Sequence, residues 1–499
     1  MKKKKSAFTV QRMIILYTSI MFGMYSLNRI VDPDYFFHFF TGKYILDNKI
    51  IPKYDIFSWY PVSTRWYTPS WAFDVLSYLI KDIGIIILLS TLVTVLFLIL
   101  TKMLFKEENK ISILKLGILI LVFSSMMGFL QHRPTIFSFL FFAITIYILY
   151  NFINSEKNSK LIYVLPIIQL LWVNFHGASS ALMYMLILII LIINVLPSFM
   201  LGAIRHVRLS KYKVKTLIII LVLTLGASLI NPNTYDFFGF VFSNFSSSEL
   251  FSSITELQSP KFSTFFQIIF RLSPIFCIGL TLLLNKTKKI ELFDLSLISI
   301  FILLYFNAVR FYPYLVISSI YFIGKYLETE TFNLNLKKIA KWQILLINTI
   351  FISLITGTFI FANNENDKFK STLNIEAYLS KGVMDKLIEL NPKRLENHID
   401  VGSQISYMFL KNNSDSKVFI NGLAEIYVKE EMIEDHFALY GVQDVNNIVD
   451  KYKFDYILTD EQAPLYYFLH IQSDEYEIVF EDNRFVIFKV IRYGDLYEE

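Results

Sequence analysis

The chain has 499 residues and a formal net charge of +5, with 54% hydrophobic and only 18% charged residues. Ordinary soluble chains carry roughly 25% charged residues, and here the apolar residues fall in long uncharged blocks, so a soluble globular protein is excluded. The single cysteine, Cys277, rules out a disulfide framework within the chain. The basic excess lies before residue 362, where it reads as membrane orientation and not as a nucleic-acid surface.

The basic start, Lys2 to Lys5, and the apolar run from Met13 resemble a signal peptide. They lead into Asn28, Arg29, Asp32 and Asp34 without a small-residue cleavage site, so an uncleaved first span is expected. About eleven transmembrane helices are expected, near 12–30, 84–104, 111–130, 134–152, 161–175, 178–196, 214–230, 265–284, 291–306, 311–325 and 342–361. Blocks of about 20 apolar residues match the hydrocarbon thickness a helix must cross. With the amino terminus inside, alternation puts every strongly basic short turn on that side. These turns hold Lys102, Lys106 and Lys110; Lys157 and Lys160; Arg205, Arg208 and Lys211 to Lys215; Lys286 to Lys289; and Lys337 to Lys341.

The opposite face receives segments 32–81, 131–133, 174–177, 231–261 and 307–310. An odd number of spans also puts the acidic tail from residue 363 there. The expected architecture is an all-α polytopic membrane domain, 1–362, with a long first outer loop, 32–81, and a soluble extracytoplasmic α/β domain, 363–499. The loop has an amphipathic stretch at 36–46, and its Trp59, Trp66 and Trp71 suit an interfacial aromatic belt. In the tail, 375–390 and 401–410 read as helices, and 417–420, 456–459, 477–480 and 485–490 as strands. Asp482 and Asn483 suit a hairpin turn between the last two.

Chemistry is expected first at Asp32-Pro33-Asp34 and His38, just past the first span. A carboxylate near low dielectric can serve as general base toward a hydroxyl, or help hold a divalent cation; the alternative is a solvated helix end. Proline biases the residue before it toward an extended conformation, in which residues two apart face one side. Asp32 and Asp34 would then address one site and resist ionising together, and Asp32, nearer the span end, is preferred as base. Arg133, in Gln131-His132-Arg133-Pro134, and Arg310, before Phe311-Tyr312-Pro313, are placed at the outer interface. Both suit bidentate contact with phosphate, with snorkelling to headgroups as the alternative; Arg271 is a weaker third. Asn174-Phe175-His176-Gly177 and Asn231-Pro232-Asn233 close two outward spans. They either take part directly or only shape the cavity. No Walker A sequence, Gly-rich dinucleotide loop or cysteine pair is present, so nucleotide binding is unsupported.

These motifs carry a resemblance. Asp32-Pro33-Asp34, His38, Thr41-Gly42, Ile51-Pro52, Asp55, Phe57-Ser58, Trp66 and Trp71 resemble the first outer loop of bacterial membrane proteins of the GT-C glycosyltransferase superfamily. Arg133-Pro134, Trp172-Val173-Asn174 with His176-Gly177, and Asn231-Pro232 follow in the same order. The tail is similar in Val418 to Gly422 with Glu425 and Tyr427, and in Phe454 to Leu458. The resemblance implies sugar transfer from a polyprenyl-phosphate carrier on the outer face, usually with inversion. An acidic residue of the first loop would act as base or position the acceptor. That role falls on Asp32 or Asp34, and Asp-Pro-Asp departs from the Asp-Glu of protein mannosyltransferases, so the choice stays open.

The expected enzyme takes its sugar from undecaprenyl or dolichyl phosphate and gives it to an envelope glycan, lipid or protein. Asp32 and Asp34 are the catalytic candidates, and His38, Arg133, His176 and Arg310 the substrate-binding ones. Its partners are the donor, the acceptor and the bilayer, with no nucleic acid; a divalent cation is the one cofactor left open. The rival readings are a lipid-linked glycan transporter, which needs polar residues at the bilayer midplane, and a non-catalytic envelope assembly scaffold.

Overall fold

A backbone surrounded by hydrocarbon must satisfy its own hydrogen bonds, which in a single apolar run means a helix. The computed structural model describes residues 15–24, 26–27, 32–105, 112–155, 160–246, 255–328 and 379–492, and it is helical across the apolar blocks among them. The elements that carry the site are helices α1 (Asp34–Asn48), α2 (Trp71–Leu104), α3 (Thr135–Asn154), α4 (Leu165–Phe175), α5 (Leu292–Asn307), α6 (Tyr312–Tyr326) and α7 (Ile399–Lys411), and the short α8 (Ala424–Tyr427). The tail strands are β1 (Leu395–Asn397), β2 (Tyr456–Asp460), β3 (Tyr476–Glu481) and β4 (Phe485–Val490).

Three helices are long and apolar enough to cross a membrane, Trp71–Leu104, Thr135–Asn154 and Gln267–Leu284, and shorter apolar helices accompany them. The chain is a multi-pass membrane protein with a mixed sheet in its tail. The expected span at 342–361, the junction at 362 and the start of the expected helix 375–390 lie outside the described residues.

The chain forms two compact units, one of residues 1–28 and 85–370, the other of 29–84 and 371–499. The linear division at 362 groups the first loop with the spans; the contacts group it with the tail.

In the first unit, α3 and α6 are buried nearly all round, with 14 buried residues of 20 in α3 and 13 of 15 in α6. A helix apolar on every face belongs at the centre of a bundle. Phe142 of α3 meets Phe301 and Tyr314 edge-on, with ring centroids 5.1 and 5.0 Å apart. Gly324 permits a close helix approach: a Cβ there would lie 2.8 Å from the Leu104 Cα. Buried charge is tolerated only where it is paired and hydrogen-bonded. Accordingly, Asp294 of α5 takes Lys325 Nζ at 2.6 Å and the Tyr321 hydroxyl at 2.6 Å, and also the Tyr326 hydroxyl. Two of the basic turns fold together in a small sheet, Phe199–Leu201 beside Ile204–His206 beside Ile290–Glu291.

The second unit is built on the sheet order β1-β2-β4-β3, parallel between β1 and β2 and antiparallel elsewhere. Three expected strands are present, and Asp482 closes the last hairpin by accepting the Arg484 and Phe485 N–H groups. Segment 417–420 is not a strand. The Asn397 side chain bonds the Phe419 N–H and the Ile420 carbonyl, doing what a neighbouring strand would do, and Val418 forms only a single bridge with Ser58 of the first loop. The parallel strand is β1 instead, too short to announce itself by alternation.

The first loop is welded into this unit. Asp55 accepts the Phe57 and Ser58 N–H groups and the Tyr427 hydroxyl at 2.9 Å. The Trp59 indole donates to the Leu395 carbonyl at 3.0 Å, and Glu430 accepts from Ser63 and Thr64. Trp59 packs on Phe419 and Phe454 and Trp66 is buried. These two tryptophans are core residues, not belt residues, because their indoles meet tail side chains.

Candidate functional site

The acidic motif opens α1. Proline has a preset φ and no N–H to lose, so it starts helices well, and Pro33 takes helical angles (φ −59, ψ −31) with Asp34 as the first helical residue. The extended run that would have aligned Asp32 and Asp34 therefore does not continue through Asp34. Asp32 is buried, and its Oδ1 accepts the Asp34 N–H at 3.0 Å, a capping contact. The Asp34 carboxylate points toward the tail: a Cβ on Gly422 would lie 3.1 Å from Asp34 Oδ1.

One turn along α1, buried His38 places Nδ1 2.6 Å from Asp74 Oδ1. Asp74 stands in the first turn of α2, before the helix is broken at Lys81 (φ 58, ψ −173) and before the apolar stretch begins. Burial raises the Asp74 carboxyl above its ordinary range, and His38 and Ser70 partly offset that. With Nδ1 engaged, Nε2 is the His38 nitrogen that can address a substrate proton.

The tail supplies a further carboxyl. Glu425, on α8, is pushed up from 4.5 to about 7 by burial and by the negative charge of Asp34, against the pull of the Trp66 indole and His38. A group that titrates near neutrality can both take and return a proton. Asp32, Asp34, His38, Asp74, Trp66 and Glu425 thus form one cluster within the second unit. Among the described residues no group of three His, Cys, Asp or Glu side chains is arranged to hold a metal ion.

The remaining candidates lie in the first unit. Arg133 donates to Glu256 Oε1 at 2.9 Å, and Arg310 feels the same carboxylate. Arg310 also lies within electrostatic reach of Tyr314. Ser138 Oγ is 2.6 Å from His176 Nδ1. Arg133 and Arg310 thus share Glu256 as a neighbour, while His176 is held by Ser138. Arg271 donates to the Lys261 carbonyl, and the Asn231 side chain accepts the Asn233 N–H in a local turn, so both are engaged in holding loops.

Sequence reasoning did not single out Asp74, Glu425, Glu256 or Ser138 as site residues. Glu425 lies in a tail motif that it did notice, and Asp74 is a lone carboxylate at the foot of an apolar stretch. Glu256 and Ser138 gave no local signal.

No protein-family profile matches the chain, and no curated protein matches it by sequence. Solved structures do. The archaeal oligosaccharyltransferase AglB from Archaeoglobus fulgidus, in complex with an inhibitory peptide and a dolichol-phosphate, aligns over 90% of this chain and 69% of its own, with TM-score 0.51 and 11% identity. An Archaeoglobus fulgidus oligosaccharyltransferase tethered with an acceptor peptide aligns over the same shares, with TM-score 0.49 and 12% identity. The likeness to the dolichol-phosphate complex is one of fold: this chain shares the architecture of that structure.

Proposed function

We propose that the chain is a GT-C glycosyltransferase of a bacterial subgroup. It transfers a sugar from undecaprenyl or dolichyl phosphate to an envelope glycan, lipid or protein on the outer face of the membrane, with inversion. The observation that carries this reading is the cluster of Asp34, His38, Asp74 and Glu425, set in a fold shared with an oligosaccharyltransferase whose structure holds a dolichol-phosphate.

Asp34 accepts the proton of the acceptor hydroxyl, whose oxygen bonds to the anomeric carbon. The carbon–oxygen bond to the carrier breaks, and its electron pair leaves on the lipid phosphate. Asp34 is favoured over Asp32 because Asp32 spends an oxygen on the α1 backbone. His38, held by Asp74, positions the acceptor, and Glu425 exchanges a proton with the cluster near pH 7. Arg310, Arg133 and His176 hold the carrier phosphate, whose negative charge grows as the bond breaks.

In this reading the amino terminus is cytoplasmic, about eleven helices span the membrane, and 363–499 form an extracytoplasmic domain. The decisive experiment is sugar transfer by the purified chain from a polyprenyl-phosphate donor. Absence of transfer with every envelope acceptor class, while donor still binds, would favour the transporter. Orientation is read separately. With Cys277 replaced and single cysteines placed at Ser63, Ser210 and Ser414, an impermeant thiol reagent should label the first and third in intact cells. Labelling at 210 alone reverses the orientation.

A further inference from the structure

Positive charge gathers in the first unit where the connection from the helix Ala181–Ile193 enters the helix Lys211–Ser228. Arg205, Arg208, Lys211, Lys213 and Lys215 lie there, and the chain has no Asp or Glu between Glu156 and Asp236. A helix start favours negative charge, yet the helix Lys211–Ser228 opens with lysines and has no acidic residue in its first turn. The fold itself uses some of these cations. Arg205 pairs with Glu291. Arg208 donates to the Val195 and Leu196 carbonyls at 2.5 and 2.7 Å, and Lys213 Nζ caps the end of α3 through the Ile153 and Ser155 carbonyls. Lys211 and Lys215 are exposed and make no hydrogen bond or ion pair among the described residues.

Arg208, Lys211 and Lys215 line a groove of about 720 Å³, and Val214, Ile218 and Ile219 continue its wall along the helix. Asn194 enters it from the preceding helix end, its Oδ1 accepting the Leu209 N–H at 2.7 Å. Residues three, four, seven and eight apart share a helix face. Lys211, Lys215, Ile218 and Val222 therefore form one stripe, charged at its start and apolar beyond. From Ile218 to Leu225 the exposed residues of this helix are all Ile, Val or Leu, the surface that hydrocarbon covers in a multi-pass protein. The volume is within the range of ligand pockets, about 300–1,000 Å³.

We propose that this groove binds an anionic diacyl phospholipid of the surrounding bilayer, with its phosphate against Arg208, Lys211 and Lys215 and its acyl chains along Val214, Ile218 and Ile219. Lysines at a helix end commonly reach for headgroups without selecting one. Three features set this place apart. Arg208 is already fixed by two carbonyls, so it has little rotamer freedom left to lose on binding. No carboxylate lines the groove to compete with a phosphate. An apolar wall adjoins the cations, which chains can cover and a soluble anion cannot use. Basic pockets of this kind suit anionic headgroups. The site is independent of the reading of the chain as a glycosyltransferase.

The test uses the full-length chain in detergent, with bound lipid measured by native mass spectrometry. Dioleoylphosphatidylglycerol should bind about tenfold more tightly than dioleoylphosphatidylcholine, whose choline offsets the phosphate charge. Lys211→Gln combined with Lys215→Gln should weaken phosphatidylglycerol about thirtyfold, the scale of two basic side chains at an anionic surface. Lys211→Arg combined with Lys215→Arg keeps both charges and should bind like the parent. Neither lysine holds the fold, so melting curves of these variants should match the parent's. Lys160→Gln combined with Lys286→Gln takes the same charge from two other basic turns and should change the affinity only slightly. Glycerol phosphate, the headgroup without chains, should not displace the lipid at equal concentration.

Equal affinity for the two phospholipids overturns the proposal. So does parent-like binding of phosphatidylglycerol in the Lys211 and Lys215 glutamine variant, or an equal loss in the Lys160 and Lys286 variant, which is the signature of general charge attraction. Displacement by glycerol phosphate would make the groove a site for a soluble anion. Displacement by polyprenyl phosphate at equal concentration would make it a site for a single-chain carrier. Either result overturns the assignment to a diacyl phospholipid.

Discussion

The two units hold their polar residues in different ways. In the first, several polar groups stand against an apolar background and are met from a neighbouring helix, Asp294 by Lys325 and Tyr321 and His176 by Ser138. In the second, the polar groups are met by segments distant in the chain: Asp55 by Tyr427, Ser63 by Glu430, and Asp34 by the Gly422–Glu425 turn. Hydrocarbon makes every charge conspicuous because each is expensive there. In a water-facing domain charges are ordinary, and only their pairing sets a few apart. A polar residue can therefore be picked out by position in the first unit, but only by partner in the second.

Substitutions that strike one unit's chemistry and spare the other sharpen this contrast. The largest effect is expected at Asp34. Asp34→Asn should slow transfer about a hundredfold or more, the usual scale for a general base, with donor binding kept. Asp32→Ala, which removes the oxygen that accepts the Asp34 N–H, should mainly cost about 1 kcal/mol of stability, as lost helix caps do. The assay is sugar transfer beside a denaturation series. Near-parent rates in both variants would remove the acidic pair from catalysis, and a greater loss at Asp32 would return the base to that residue.

The phosphate grip should respond in affinity instead. Arg310→Lys keeps charge but loses the planar fork, and should weaken binding of polyprenyl phosphate about tenfold. Glu256→Gln removes the carboxylate that Arg133 grips and should strengthen donor binding. Weaker binding in Glu256→Gln would mean that the glutamate organises the arginines rather than competing with the phosphate.

Glu425 should reveal itself through pH. Its carboxyl is raised from 4.5 to about 7, so folding favours the neutral form. The associated stability is present in full below about pH 4.5 and is lost as pH rises through about 7. Thermal melts of the parent should therefore lose about 2 kcal/mol across that window, allowing for partial exposure, and Glu425→Gln should flatten the curve. An equally steep curve in the variant would place the titration elsewhere. The smallest effect concerns Lys81, whose φ of 58 and ψ of −173 lie in a region that only glycine occupies without strain. Lys81→Gly should stabilise by about 1 kcal/mol in denaturant titrations; a loss of stability would show that the helix break is not strained.

Many helices were legible from apolar length alone, because a bilayer-spanning backbone has few alternatives to a helix. Segment 265–284 was read with the bounds that the helix Phe265–Leu284 shows, and 311–325 within one residue of Tyr312–Tyr326. Strand 485–490 was legible from its apolar run and the turn before it. Segment 417–420 misled because β-branched and aromatic composition measures fit to a pleated surface, whereas an asparagine side chain supplied the pairing there.

The sequence by itself determined the membrane class, most helix positions and the residue types able to handle phosphate and protons. Those properties depend on local composition and on the cost of charge in hydrocarbon. Tertiary structure alone decided that the first loop belongs with the tail, that Asp32 caps a helix, that Asp74 holds His38, and that Glu425 joins Asp34. Apart from the local Asp32 cap, these are meetings between groups whose separation along the chain has no bearing on their separation in space. Burial and neighbouring charge, which set a carboxyl's proton affinity, exist only once those pairs have formed.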